Sequence, residues 1–223
     1  YKFVHKVFKE DVEQDKLIRY IKKLNKDESI DGILVQMPLP KHLDSSLIQN
    51  TVDSYKDVDG LTFINAGRLV QGMPSLVPCT PKGIVDILDE YKIKLEGSQV
   101  VVIGRSVLVG KPMANLLTNR NASVTICHSK TKDINLYTKN ADIVIVAVGK
   151  PGFLKEDMDK DGAVVIDVGI NRINGKLKGD VDYDNVSKVA GYITPVPGGV
   201  GPMTVYELMA NVLVAHNLRL KYC

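Results

Sequence analysis

Apolar residues recur along this chain with two different periods, and the change of period divides it. Near the start, Val12, Leu17, Ile18, Ile21 and Leu24 recur at helical spacing and predict an amphipathic helix. Asp31-Gly32 then leads into Ile33-Leu34-Val35, a short run that predicts a strand ending at Gln36. Met37-Pro38-Leu39-Pro40 stops it, because proline cannot donate to a sheet ladder. A short helix is expected over 46–52 and a turn at Asp57-Val58-Asp59-Gly60. Thr80-Pro81 reads as a helix start, a hydroxyl cap followed by proline at the first helical position. Ile84, Ile87, Leu88 and Tyr91 then repeat on one helical face.

Beyond that helix the pattern becomes unbroken Val/Ile runs at 100–103, 124–127, 143–148 and 164–168, with a shorter one at 192–194. Such runs are expected of parallel strands buried on both faces. A helix is expected from about Pro112 to Asn119, and the alternation predicts an α/β fold, a Rossmann-type doubly wound parallel sheet with a smaller α/β domain before it. Thr204-Val205-Tyr206-Glu207 has the form of a capping box, and Val205, Leu208, Met209 and Val212 form the stripe of a last helix. The expected division is 1–79, 80–203 and a C-terminal helix over 204–223 that packs back on the first part.

Composition narrows the function classes. The 223 residues carry a formal charge of +3, too little to argue for nucleic acid, and no basic stripe is interleaved with aromatics. No apolar run reaches the roughly 18 residues of a membrane span. No apolar leader stands before the first helix, and the three cysteines, Cys79, Cys127 and Cys223, match no zinc spacing. Reduced thiols in the cytoplasm are expected. His5, His42, His128 and His216 have no ligand partners at metal spacing, so no metal is expected. Cys79 precedes a helix start without a paired histidine and reads as packing.

The chemistry concentrates in Gly104-Arg105-Ser106-Val107-Leu108-Val109-Gly110-Lys111-Pro112, which follows a strand and opens a helix. Gly104 permits a tight turn, and Gly110 has no side chain to block the approach of a pyrophosphate. The exposed N–H groups and the helix dipole favour an anion. A Walker A loop is excluded by the spacing of the glycines and by proline after Lys111, while G-x-G-x-x-G is broken by Ser106. The turn suits a dinucleotide; a turn that only packs helix on strand has the same pattern. An NAD site usually has an acid at the end of the next strand. Here Cys127-His128-Ser129-Lys130-Thr131-Lys132 has none, and Arg105 can reach the same region. A 2′-phosphate suits such a place, as would a solvated basic loop.

Several motifs together resemble one family. They are Ile33–Pro40, Lys56-Asp57-Val58-Asp59-Gly60, Pro78-Cys79-Thr80-Pro81-Lys82-Gly83, the 104–112 turn, Asp167-Val168-Gly169-Ile170-Asn171, Gly179-Asp180-Val181 and the run from Pro195 to Thr204. In this order they are similar to the bifunctional methylenetetrahydrofolate dehydrogenase/methenyltetrahydrofolate cyclohydrolase family. The resemblance implies two activities of one-carbon metabolism at one site. A hydride passes from the folate's methylene bridge to NADP, and water then opens the methenyl cation to 10-formyltetrahydrofolate. It implies catalytic roles for Gln36, which orients a lysine, and Asp59, which pairs with the pterin. Val35, Gln36, Met37, Asp59, Pro197, Gly198 and Gly199 would contact the tetrahydrofolate derivative. Gly104, Arg105, Ser106, Val109, Ser129, Ile170 and Thr204 would hold NADP. It also implies a homodimer.

By pattern alone Gln36 is also a polar strand end, Asp59 the acid of an Asp-Gly turn, and the 195–203 loop two consecutive turns. The family's catalytic tyrosine and lysine fall well upstream of Tyr1, and Tyr1 and Lys6 have the wrong spacing to replace them. The natural chain is therefore expected to be longer at its N-terminal side. The rival reading is a noncatalytic dinucleotide- or folate-binding module that lacks this pair. A generic Rossmann dehydrogenase for a hydroxy acid does not explain Gln36, Asp59 and the 195–204 loop together.

Overall fold

The computed structural model describes residues 2–73 and 75–222. Tyr1 and Cys223, both considered above, lie outside the described residues. In the first part, α1 (Gln14–Lys26) buries Leu17 and Ile21 against Ile33, Leu43 and Val52, and against Ile48 of α2 (Ser45–Thr51). Asp44 caps α2 by accepting from the Leu47 N–H at 2.9 Å. Lys56 is buried and donates from Nζ to Leu24 O (3.0 Å) and Asp27 O (2.7 Å), closing the end of α1. That burial holds its ammonium below the usual lysine range.

The strand expected at 33–35 is reduced to one parallel bridge, Ile33 to Asp57, with the Ile33 N–H donating to Lys56 O at 2.7 Å. Its neighbour enters a turn at once, where Gly60 N–H donates to Asp57 O at 2.9 Å, so no second rung forms. A helix not expected from the pattern, α3 (Phe63–Val70), follows its Thr62 cap. The buried face of α3 carries Asn65 beside Leu69 while Phe63 and Ile64 are exposed, which inverts the usual apolar signal.

Next comes α4 (Cys79–Glu90), whose N-cap is Pro78 rather than the expected Thr80. Then follow β1 (Gln99–Ile103), α5 (Gly110–Asn119), β2 (Ser123–Cys127), α6 (Asn135–Thr138), β3 (Ile143–Val146) and β4 (Val164–Asp167). A hairpin, β5 (Asn171–Ile173) and β6 (Lys176–Lys178), turns at Asn174-Gly175, both in the left-handed region (φ 49° and 77°). This Asn-Gly turn is a hairpin signal that the Val/Ile pattern hid. The chain continues through α7 (Tyr183–Val186) and β7 (Tyr192–Ile193) to α8 (Val200–Tyr222).

The main sheet has strand order β2-β1-β3-β4-β7, and every pair in it is parallel. Alternate side chains leave opposite faces. Val100, Val102, Ile143, Ile145 and Ile166 join one core with Ile84 and Leu88 of α4 and Met113 and Leu117 of α5. Val101, Ile103, Val144, Val146 and Val165 join a second core with Leu154, Val181 and Val186. Both faces are therefore buried, the physical reason the strands lack polar alternation.

The last helix starts at Val200, four residues before the expected capping box. Pro202 sits in its first turn, where a missing N–H costs nothing. Its inward line is Glu207, Asn211 and Ala215, while Val205 and Met209 of the predicted stripe are exposed. Among the described residues no helix is long and apolar enough to cross a membrane.

One buried acid stands apart. Asp159 is 7% exposed, and no side chain among the described residues answers its carboxylate. Burial lifts it to about 6, against the opposing pull of the Lys160 N–H. The folded state thus holds the proton more tightly than an unfolded chain titrating near 3.8. The stability from this protonation is complete below the unfolded value and is lost as pH rises through the folded one. Asp159→Asn is expected to be more stable than the parent at pH 7.5 by roughly 2 kcal/mol, with the gap closing toward about pH 4. Thermal melts across that range check this; a gap independent of pH would rule out charge burial as its cause.

Candidate active site

A chain that runs from β1 out to β2 and returns to β3 on the other side of β1 opens a crevice between β1 and β3. Ligands of open α/β sheets bind at such switch points, outside the carboxyl ends of the strands. The turn after β1 lies there, with Arg105, Ser106, Val107 and Leu108 exposed and Val109 half-buried. Gly104 adopts φ 129°, and a Cβ on it would run into the Ala147 carbonyl beyond β3. A Cβ on Gly110 would run into the carbonyl of Gly104. Gly110 is thus required by the turn's own closure, a constraint apart from any ligand. Ser106 holds the loop from within: its Oγ accepts from Val109 N–H (3.1 Å) and its carbonyl from Lys111 N–H (3.0 Å).

The neighbouring loop is tied to this turn. Gly104 N–H donates to Cys127 O at 2.8 Å, and Ile103 pairs with Cys127 in the ladder. Arg105 and Ser129 therefore leave the same corner of the sheet. The loop is shaped internally by His128 N–H donating to Thr131 Oγ1 (2.9 Å) and Lys130 N–H to His128 Nδ1 (3.2 Å). Ser129, Lys130 and Lys132 are exposed. The nearest acid along the chain, Asp133, accepts from the Asn135 N–H at 3.0 Å. Two exposed basic side chains and a hydroxyl beside an anion-favouring turn fit a dinucleotide with a 2′-phosphate.

The far wall rests on two buried acids that the sequence reading quoted inside motifs without giving them work. Asp167, at the end of β4, accepts from the N–H groups of Gly169 (2.9 Å), Asp180 (2.8 Å) and Val181 (3.0 Å). Burial raises its pKa, and those N–H donors oppose the rise. Asp180 accepts from Val148 N–H (2.7 Å), Gly149 N–H (2.8 Å) and Asn171 Nδ2 (2.9 Å). Side chains on Gly169 or Gly179 would collide with Asp180 or Asp167 respectively, which explains the Gly-flanked motifs. Ile170 projects from this braced loop at 65% exposure. Thr194 Oγ1 accepts from the Asp167 N–H at 2.8 Å and anchors the following loop, in which Pro197 and Gly198 are exposed and Gly199 is half-buried. Thr204 is turned toward α4, its Oγ1 2.9 Å from Thr80 Oγ1.

On the side of the first part, Val35 and Met37 are half-buried and Gln36 is exposed, its Nε2 donating to Met37 O at 3.0 Å. Asp59 is half-buried; burial raises its pKa while the neighbouring Cys79 opposes the rise. Next to it, Asp57 is fully buried and accepts from Gln49 Nε2 (3.2 Å), Thr62 N–H (2.8 Å) and Asn65 Nδ2 (2.9 Å). Of the two acids in the Asp-Val-Asp-Gly turn, Asp57 builds the turn and Asp59 is left half-buried beside it.

Comparison with known proteins accounts for both halves. Residues 1–59 match the catalytic domain of tetrahydrofolate dehydrogenase/cyclohydrolase, and residues 78–220 match its NAD(P)-binding domain. The chain belongs to the tetrahydrofolate dehydrogenase/cyclohydrolase family. It is 56% identical over 207 residues to the bifunctional protein FolD of Campylobacter concisus, covering 92% of this chain and 73% of that protein. The FolD protein of Clostridium tetani is 55% identical, with 94% and 76% covered. The crystal structure of the bifunctional FolD enzyme from Campylobacter jejuni superposes with a TM-score of 0.92 at 51% identity, covering 93% and 75%. A Trypanosoma brucei FolD structure, complexed with NADP cofactor and inhibitor, has a TM-score of 0.90 at 39% identity, covering 95% and 75%.

For a dehydrogenase/cyclohydrolase the brace of Asp167 and Asp180 sets the shape of the crevice. Asp180→Ala would strip acceptors from the Val148 and Gly149 N–H groups. It is expected to cost roughly 2 kcal/mol of stability and to weaken dinucleotide binding. Urea unfolding and a dinucleotide titration check both; undiminished affinity in the folded variant would show that the brace does not shape the cleft.

Proposed function

We propose that this chain oxidises 5,10-methylenetetrahydrofolate to 5,10-methenyltetrahydrofolate with NADP and hydrolyses that product to 10-formyltetrahydrofolate. NADP, when bound, supplies the hydride acceptor at C4 of its nicotinamide. The chain's own residues bind and orient. Arg105 and Ser129 hold the 2′-phosphate, with Gly104, Ser106 and Val109 forming the cradle. Ile170 and Thr204 border the nicotinamide. Asp59 accepts from the adjacent donors of the 2-amino-pyrimidine edge of the pterin, a task that needs an ionised carboxylate. Val35, Gln36 and Met37 line the folate side, Gln36 orienting the family's catalytic lysine, and Pro197, Gly198 and Gly199 form the opposite wall.

The observation that carries NADP over NAD is the acid-free loop beside an exposed arginine at the sheet's switch point. Loss of a charge-assisted contact is worth roughly 1.5–3 kcal/mol. In an absorbance assay with methylenetetrahydrofolate, Arg105→Ala should therefore weaken use of NADP by at least about tenfold and leave NAD nearly untouched. Equal weakening of both would show that Arg105 does not read the phosphate.

We further propose a cytoplasmic homodimer. Edge strand β7 has no outer neighbour in the sheet, and its half-exposed Tyr192 meets Tyr91 edge-on at 6.0 Å over an apolar cavity of about 390 Å³. Such an edge favours a covering partner. Sedimentation should give twice the mass of one chain, and a monomer at micromolar concentration would end the proposal.

A further inference from the structure

Asn211 lies on α8, is 2% exposed, and its hydrogen-bond partners are not among the residues assigned above to substrate or cofactor. Its Nδ2 donates to Val58 O and to Val77 O, each at 2.8 Å, and lies 3.6 Å from Cys79 Sγ. These partners bracket Asp59. Val58 immediately precedes it, and Cys79, whose thiol donates to Val58 O at 3.5 Å, lies close enough to Asp59 to affect its pKa. Gly60, on its other side, is packed so closely on the Leu76–Pro78 backbone that a Cβ there would lie 2.6 Å from Leu76 O. The two segments that hold Asp59 are thus joined to each other by one amide from a third.

A buried Asn serving only packing would need its donors satisfied anywhere nearby. Here two carbonyls from segments far apart in sequence converge on one nitrogen, with the Cys79 sulfur behind them. The Cys79 thiol also lies 3.5 Å from Val58 O, so its direction depends on the same carbonyl that Asn211 holds. Moving that carbonyl would shift the peptide that carries Asp59 and, with it, the Asp59 carboxylate. We infer that Asn211 is a positioning residue for folate recognition, acting through Val58 and Cys79 to aim the carboxylate of Asp59 at the pterin.

This inference rests on the assignment of Asp59 to the pterin, and a double-mutant cycle separates the two. Tetrahydrofolate and NADP are titrated calorimetrically into the parent, Asn211→Ala, Asp59→Ala and the double variant. Asn211→Ala is expected to weaken tetrahydrofolate by about tenfold while NADP affinity stays within about twofold. In the Asp59→Ala background, Asn211→Ala should have no further effect, because the group it aims is gone. A purely structural Asn211 predicts multiplied losses in the double variant, or equal losses for both ligands, and either result overturns the inference. So does unchanged tetrahydrofolate affinity in Asn211→Ala. If Asp59→Ala alone leaves tetrahydrofolate binding intact, the pterin assignment falls and takes this inference with it. Should Asn211→Ala not fold, Asn211→Gln carries the same test. It keeps both donors on a side chain longer by one methylene, and it should displace the carboxylate and weaken tetrahydrofolate alone.

Discussion

The structure depends on a polar seam between α4 and α8. Glu207 of α8 is fully buried and pairs with Lys82 of α4 at 2.5 Å. Asp86, one turn further along α4, is pushed up to about 6 by burial and by the neighbouring Glu207 carboxylate. Thr80 meets Thr204 at one end of the seam and Asn211 meets the Val58 and Val77 carbonyls at the other. Removing one partner of a buried ion pair typically costs 3–5 kcal/mol, because the other charge is left in a low-dielectric interior.

Both walls of the cleft hang from that seam. At its N-terminal end α4 places the Cys79 thiol on Val58 O, next to Asp59, while α8 begins where the loop of Pro197, Gly198 and Gly199 ends. Gly83 of α4 packs on Met203, and a Cβ there would come within 2.9 Å of the Met203 Cβ. Asp59 and the loop of Pro197, Gly198 and Gly199 are therefore positioned by the same pair of helices. Near its far end α8 returns to the first part, where Arg219 donates to Ile30 O at 2.8 Å and to Asp31 at 2.7 Å. The cofactor side is held differently, by carboxylates that gather backbone N–H groups at the ends of β3 and β4. Fixed acceptors of that kind keep a loop rigid without filling the space in front of it.

Much of this was legible in the chain. The buried strands announced themselves because a sheet covered on both faces has no polar side to show. The glycine turn and the acid-free loop near Ser129 pointed to a phosphorylated dinucleotide, and the linked motifs to the family. Other features were hidden for physical reasons. Strand 33–35 looked continuous, yet a ladder needs a neighbour that stays extended, and residues 56–57 turn away after one rung. Helix α3 presents Asn65 to the interior, so its apolar residues mark the wrong face. The Thr204 capping box was a true local pattern overruled by a helix already begun at Val200.

What the sequence by itself determined was the set of elements whose burial is uniform and the residue types at the cofactor turn, because both follow from local backbone and solvation requirements. Tertiary structure alone decided the work of each polar group. Asp57 and Asp59 stand two apart in one turn, and only packing makes the first a buried support and leaves the second half-exposed. Glu207 reads as a cap and proves to be a buried ion-pair partner. Asn211 reads as nothing at all. A side chain's hydrogen-bond partners come from segments that sequence spacing does not relate, and so its role is settled only when the chain has closed around it.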